Sequence, residues 1–119
     1  MGDGLRYLDS ELADWVYVAK SSIHGKGLFA RRAIARGDYI GTYWGPRAKR
    51  NGVYVLWVCN DPEDEGSWEG RSGRNLLRYL NHSADGNAEF DGYDLYALRD
   101  IAPDEEITFH YGDEFHESL

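Results

Sequence analysis

Glycine breaks this chain at short intervals, at Gly25, Gly27, Gly37, Gly41, Gly45, Gly52, Gly66, Gly70, Gly73, Gly86, Gly92 and Gly112. The runs between are short and rich in β-branched and aromatic residues. Examples are Trp15-Val16-Tyr17-Val18-Ala19, Tyr39-Ile40-Gly41-Thr42-Tyr43-Trp44, Val53-Tyr54-Val55-Leu56-Trp57-Val58, Tyr93-Asp94-Leu95-Tyr96-Ala97-Leu98 and Ile107-Thr108-Phe109. Such side chains fit a pleated, half-buried surface, and closely spaced turn residues separate one short strand from the next. The pattern predicts a mainly β domain with little helix. Asp9 to Ala13 allows one helical turn. Asn75-Leu76-Leu77-Arg78-Tyr79-Leu80 allows a short helix, with Asn75 as N-cap and the leucines on one face. Asn60 to Gly73, opened by Asp61-Pro62-Glu63-Asp64-Glu65-Gly66, is the most loop-like stretch and is expected to be exposed and mobile.

A length of 119 residues suits a single domain, 1–119, around one core. The chain is 42% hydrophobic and 14% aromatic, enough to build that core and too much for a disordered chain. Its formal net charge of -8 opposes a phosphate backbone, so nucleic acid is not expected as a direct partner. The same charge attracts a basic peptide, although it also serves solubility alone. The lone cysteine, Cys59, can form neither an internal disulfide nor a cysteine-rich zinc site. Met1 to Asp14 has no basic segment followed by an apolar run, and no apolar run approaches the roughly 18 residues of a membrane span. These features predict an intracellular protein with no membrane contact.

Several local patterns lead nowhere. Asn81-His82-Ser83 fits a glycosylation acceptor, which has no meaning without secretion. Asp61, Glu63, Glu65 and Gly66 imitate the start of a calcium loop, but Ser72 stands where the bidentate glutamate is needed. His110, Glu114 and His116 match no common metal spacing, so no metal site is expected.

Three segments carry more. In Ser21-Ser22-Ile23-His24-Gly25-Lys26-Gly27-Leu28-Phe29-Ala30, two glycines let the backbone bend and approach a ligand closely. Exposed N–H groups there, beside Lys26, could hold a carboxylate; a plain β-turn explains the same residues. A dinucleotide fold is excluded, since a third glycine and a following helix are missing. In Arg78-Tyr79-Leu80-Asn81-His82-Ser83, Asn81 and His82 offer a donor and an acceptor to a polar ring, or else satisfy nearby backbone. Asp104-Glu105-Glu106-Ile107-Thr108-Phe109-His110-Tyr111-Gly112 reads as a short strand ending in a tyrosine.

In this order and spacing, the three segments resemble the SET-domain protein-lysine methyltransferases, from about Val16 to Phe115. Ala33-Ile34-Ala35-Arg36-Gly37-Asp38-Tyr39-Ile40 resembles the segment that follows the family's Gly-x-Gly. The resemblance implies a SET-type (β-clip) fold of small sheets, in which the Asn-His-Ser segment passes under a loop made by the last motif as a C-terminal pseudoknot. It implies S-adenosylmethionine as cofactor and a lysine in a basic protein, such as a histone, as acceptor. Lys26 and Gly27 then correspond to the backbone that meets the cofactor's methionine part. Asn81 and His82 correspond to the pair that meets its amino-acid and adenine portions, and Tyr111 to the tyrosine at the transfer centre. Tyr54, Phe109, Tyr43 and Trp44 are the candidates for the lysine channel.

The chain also departs from the family. Ala84, Asp85, Gly86 and Asn87 follow Ser83 where Cys-x-Pro-Asn is common, and His110 replaces the usual aspartate before the tyrosine. Only Gly112 to Leu119 follow Tyr111, so Phe115, a second subunit of a homodimer or the substrate is expected to close the channel; this minimal architecture resembles the short viral and bacterial members. A histone target implies a nuclear or host-nuclear location, another basic target a cytoplasmic one. The competing reading is a catalytically inactive module of the same fold that binds cofactor or peptide.

Overall fold

The computed structural model describes residues 5–47, 55–59 and 68–110. They contain the strands β1 (Val16–Lys20), β2 (Lys26–Ala30), β3 (Tyr39–Thr42), β4 (Val55–Cys59), β5 (Trp68–Ser72), β6 (Asn81–His82), β7 (Ala88–Asp91), β8 (Asp94–Ala97) and β9 (Glu106–His110). Helix among these residues is limited to α1 (Asp9–Leu12) and a 3₁₀ helix, Leu76–Tyr79. The chain is mainly β, as its glycine spacing predicts.

Seven strands form one curled sheet in the order β1-β2-β9-β7-β8-β3, with β6 paired to β9, while β4 and β5 pair with each other. Consecutive strands make antiparallel hairpins, β1 with β2, β4 with β5 and β7 with β8. β9 behaves differently. It runs antiparallel to β2 and parallel to both β6 and β7. The last motif is thereby enclosed by strands from the first and middle parts of the chain.

Asn87, 2% exposed, holds that crossing. Its Nδ2 donates to the Glu106 carbonyl at 2.8 Å, and its Oδ1 accepts the Thr108 N–H at 2.9 Å. Burying an amide is tolerable only when both its ends are paired, as here. Leu12, Val16, Leu28, Ile40, Leu95 and Ile107 are fully buried and fill the core beneath the sheet. Leu77 of the 3₁₀ helix joins them. That helix is therefore pinned at a fixed height over β1 and β2.

Two local expectations need correction. Asn75 does not cap the 3₁₀ helix: its Nδ2 donates to the carbonyls of Tyr7 at 2.9 Å and Thr42 at 2.8 Å. The cap is Asp9, whose Oδ1 accepts the Leu76 N–H at 2.8 Å across the fold. The segment read as one loop from Asn60 to Gly73 contains β5, which is in full antiparallel register with β4 from Val55↔Ser72 to Cys59↔Trp68. A glycine and a glutamate make Trp68–Ser72 a poor strand by propensity. Pairing to the β-branched edge of β4 overrides that.

Candidate functional site

The site begins at the turn between β1 and β2. Ser21 N–H donates to the Gly25 carbonyl at 2.8 Å, and Ser21 Oγ accepts the Ile23 N–H at 2.9 Å. Gly25 turns the chain with φ +48°, a conformation that favours glycine. Gly27 is needed for a different reason. A Cβ there would lie 2.3 Å from Glu106 Oε2 and 3.0 Å from Ser21 Cβ. The missing side chain is the space into which the Glu106 carboxylate fits.

Asn81 fastens the turn from the other side. Its Nδ2 faces Glu106 Oε2 at 3.0 Å, Ser21 Oγ at 3.1 Å, the His24 carbonyl at 3.1 Å and the Lys26 carbonyl at 3.3 Å. The Ser21 hydroxyl donates to both Glu106 oxygens at 2.8 Å. Three strands thus meet at one polar knot, because β9 lies between the hairpin and β6 in pairing.

Beside the knot opens a cleft of about 740 Å³, lined by Lys20, Gly25, Lys26, Leu76, Arg78 and Tyr79 together with the edge of β1. Lys20 and Lys26 are direct cross-strand partners. Like charges placed opposite each other are unfavourable by a few tenths of a kcal/mol to about 1 kcal/mol. Arg78 adds a third positive charge and is held in place: its Nη1 donates to the carbonyls of Arg74 and Asn75, both at 2.9 Å, and its guanidinium lies 4.5 Å from the Tyr79 ring centre. No acidic side chain lines the cleft among the described residues. Such a cleft is suited to an anionic group, which would offset the repulsion between the cations.

An aromatic series borders the other face of β6 and β9. Tyr43 meets Phe90 edge-on at 5.9 Å, Phe90 meets Phe109 at 5.5 Å, and Phe109 meets the His82 ring at 5.8 Å. The His110 ring follows His82 at 6.4 Å.

Lys26, Gly27 and Asn81 are therefore brought together. His82 is exposed and stands on the neighbouring position of β6, against Phe109. Tyr43 is buried and joins Phe109 through Phe90. Trp44, 45% exposed, packs instead against Tyr7 at 5.1 Å and beneath the Arg71 guanidinium. Tyr54 and Tyr111 lie outside the described residues, as do Glu114 and His116. Sequence reasoning gave no role to Ser21, Glu106, Lys20, Arg78 or Tyr79. Signals existed for some of them: Arg78 and Tyr79 directly precede the Asn-His segment, and Glu106 is a charged residue inside a strand pattern.

Residues 25–112 match the family profile of the SET domain. The chain is 30% identical over 126 residues to the histone-lysine N-methyltransferase EZH2 of Chaetomium thermophilum, covering 84% of this chain and 8% of that protein. It is 30% identical over 116 residues to the H3 lysine-4 specific histone-lysine N-methyltransferase of Saccharomyces cerevisiae, covering 81% of this chain and 11% of that protein. The chain thus spans only a small part of the curated relatives it matches. Among solved structures, it superimposes with a TM-score of 0.70 and 27% identity on a Polycomb Repressive Complex 2 of Chaetomium thermophilum in an autoinhibited conformation bound to S-adenosylmethionine, covering 87% of this chain and 16% of that one. The methyltransferase domain of human SETMAR gives a TM-score of 0.65 at 23% identity, covering 81% and 44% of the two chains, a likeness of fold.

Proposed function

The chain belongs to the SET-domain family, and on that premise we propose that it transfers a methyl group from S-adenosylmethionine to a lysine of a basic protein such as a histone. One observation carries the reading: Asn81 clasps the Gly25-Lys26-Gly27 turn directly beside a cleft whose charged lining is entirely cationic among the described residues.

The residues present suit the cofactor. Lys20, Lys26 and Arg78 supply the charge that a methionyl carboxylate needs. Asn81 has its Nδ2 fully engaged, which leaves its Oδ1 to accept from an ammonium or amine. Gly27 makes room behind the turn for the Glu106 carboxylate that holds Asn81. When bound, the cofactor supplies a methyl group already activated on a sulfonium.

The protein's own task is alignment, desolvation and charge control. A lysine side chain has a pKa near 10.4, so presenting it as the neutral amine at pH 7 costs roughly 4–5 kcal/mol. An apolar wall lowers that cost by disfavouring the ammonium form. Phe109 of β9, partly buried, is the described aromatic placed to supply such a wall, backed by Phe90 and Tyr43 in the core behind it. Tyr111, which follows the last residue of β9, is assigned to orient the amine through its hydroxyl. It is not assigned as a general base, since a neutral tyrosine is a weak one.

Calorimetric titration with S-adenosylmethionine and its demethylated product tests this reading. The folded protein should bind both, and Asn81→Ala should weaken both by roughly tenfold or more through loss of the clasp and its acceptor. A folded protein that binds neither ligand contradicts the cofactor assignment.

A further inference from the structure

Glu106 touches neither the cleft nor the aromatic wall, yet it forms the centre of the polar knot. Its carboxylate accepts the Ser21 hydroxyl and the Asn81 amide. The remaining neighbours of Asn81 Nδ2 are the His24 and Lys26 carbonyls, which only accept, and Ser21 Oγ, whose hydrogen is turned toward Glu106. Every atom around that end of the amide is thus an acceptor. An amide placed with its oxygen there would face four lone-pair groups with nothing to receive. The orientation of Asn81 is consequently dictated by its surroundings, and no described residue donates to its Oδ1.

We infer that Glu106 is a positioning residue: it presets the Asn81 amide with the oxygen outward, and so makes the site select a ligand carrying an ammonium group next to its carboxylate. The inference rests on the cofactor reading above and extends it to a residue that would not itself touch the cofactor. Glu106 is suited to the role by three features. It reaches Asn81 only because Gly27 has no side chain. It is anchored from β9, whose Thr108 and Phe109 pair with Asn81 and His82 themselves. Its negative charge lies behind the amide, which polarises Asn81 so that Oδ1 becomes a better acceptor.

Glu106→Gln tests the inference while nearly preserving shape. The glutamine can turn its NH₂ toward Asn81, which replaces the one charged acceptor there by a donor and leaves the His24 and Lys26 carbonyls and Ser21 Oγ alone to hold the amide in place, so the preference of Asn81 for this orientation is weakened. The probes are S-adenosylhomocysteine, which carries the α-ammonium, and 5′-methylthioadenosine, which lacks the amino-acid part but keeps adenine and ribose. In Glu106→Gln, S-adenosylhomocysteine should bind roughly tenfold or more weakly, while 5′-methylthioadenosine keeps its wild-type affinity within about twofold. Adding Asn81→Ala to Glu106→Gln should weaken S-adenosylhomocysteine little further, because both changes remove one interaction. Equal losses for both ligands would mean that Glu106 only supports the fold, and an unchanged affinity for S-adenosylhomocysteine would mean that it orients nothing. Either result overturns the inference while the cofactor reading stands. Wild-type protein that binds neither probe removes both.

Discussion

Replacing Tyr111 by phenylalanine should lower turnover by roughly a hundredfold or more, the usual effect of losing one preorganised hydrogen-bonding group at a reacting centre. Cofactor affinity should stay within about twofold, since the interaction concerns the transition state and not the ground state. Tyr111 stands immediately after β9. That strand pairs with Asn81 and His82 through Thr108 and Phe109. The tyrosine proposed to act in transfer thus directly follows, in sequence, the strand that builds the clasp. Deleting one oxygen leaves the ring, so a fall in rate would report on the hydroxyl alone. Single-turnover methyl transfer beside calorimetry separates the two effects. Full turnover in a folded Tyr111→Phe protein would remove the role assigned to this residue.

Gly27→Ala should be the most damaging single methyl group in the site. The added Cβ would sit 2.3 Å from Glu106 Oε2 and 3.0 Å from Ser21 Cβ. A carboxylate at the end of a free side chain could swing away at little cost. This one is held by Ser21 and Asn81, so moving it breaks the knot. Overpacking of this kind costs about 1–3 kcal/mol in stability. Loss of the Asn81 orientation should weaken S-adenosylmethionine binding by roughly tenfold or more. Urea unfolding and calorimetry on the same preparation measure both. Wild-type stability together with wild-type binding would show that the close approach at Gly27 is not needed.

Much of this architecture was legible in the residue order, and the reasons for what was not are physical. Mainly β structure followed from glycine spacing and from runs such as Trp15-Val16-Tyr17-Val18-Ala19, because alternation and β-branching act locally. β2, β5, β6 and β7 were hidden. Lys26–Ala30 reads as the end of a turn, Trp68–Ser72 as a loop, and Asn81–His82 is only two residues long. Each becomes a strand only through a partner, and no local pattern encodes the parallel pairing of β6 with β9. Asn75 misled for a similar reason. It is a fair cap by type, but Tyr7 and Thr42 offer it carbonyls from distant segments, leaving the helix to Asp9. In the site, the family motifs located Lys26, Gly27 and Asn81, which the fold gathers. Glu106 escaped because its importance depends on a space left by Gly27, 79 positions earlier in the chain by the numbering of the two residues.

Lysine methylation itself is tested most directly by incubating the protein with S-adenosylmethionine labelled in its methyl group and a panel of histone and other basic peptides. Each peptide is paired with a version in which every lysine is replaced by alanine. Label should pass to one or more lysine-bearing peptides, to none of their alanine counterparts, and to none in the presence of Tyr111→Phe. Protein that binds the cofactor but labels no lysine-bearing peptide, or labels the alanine versions equally, would contradict lysine methyl transfer as the function of this chain.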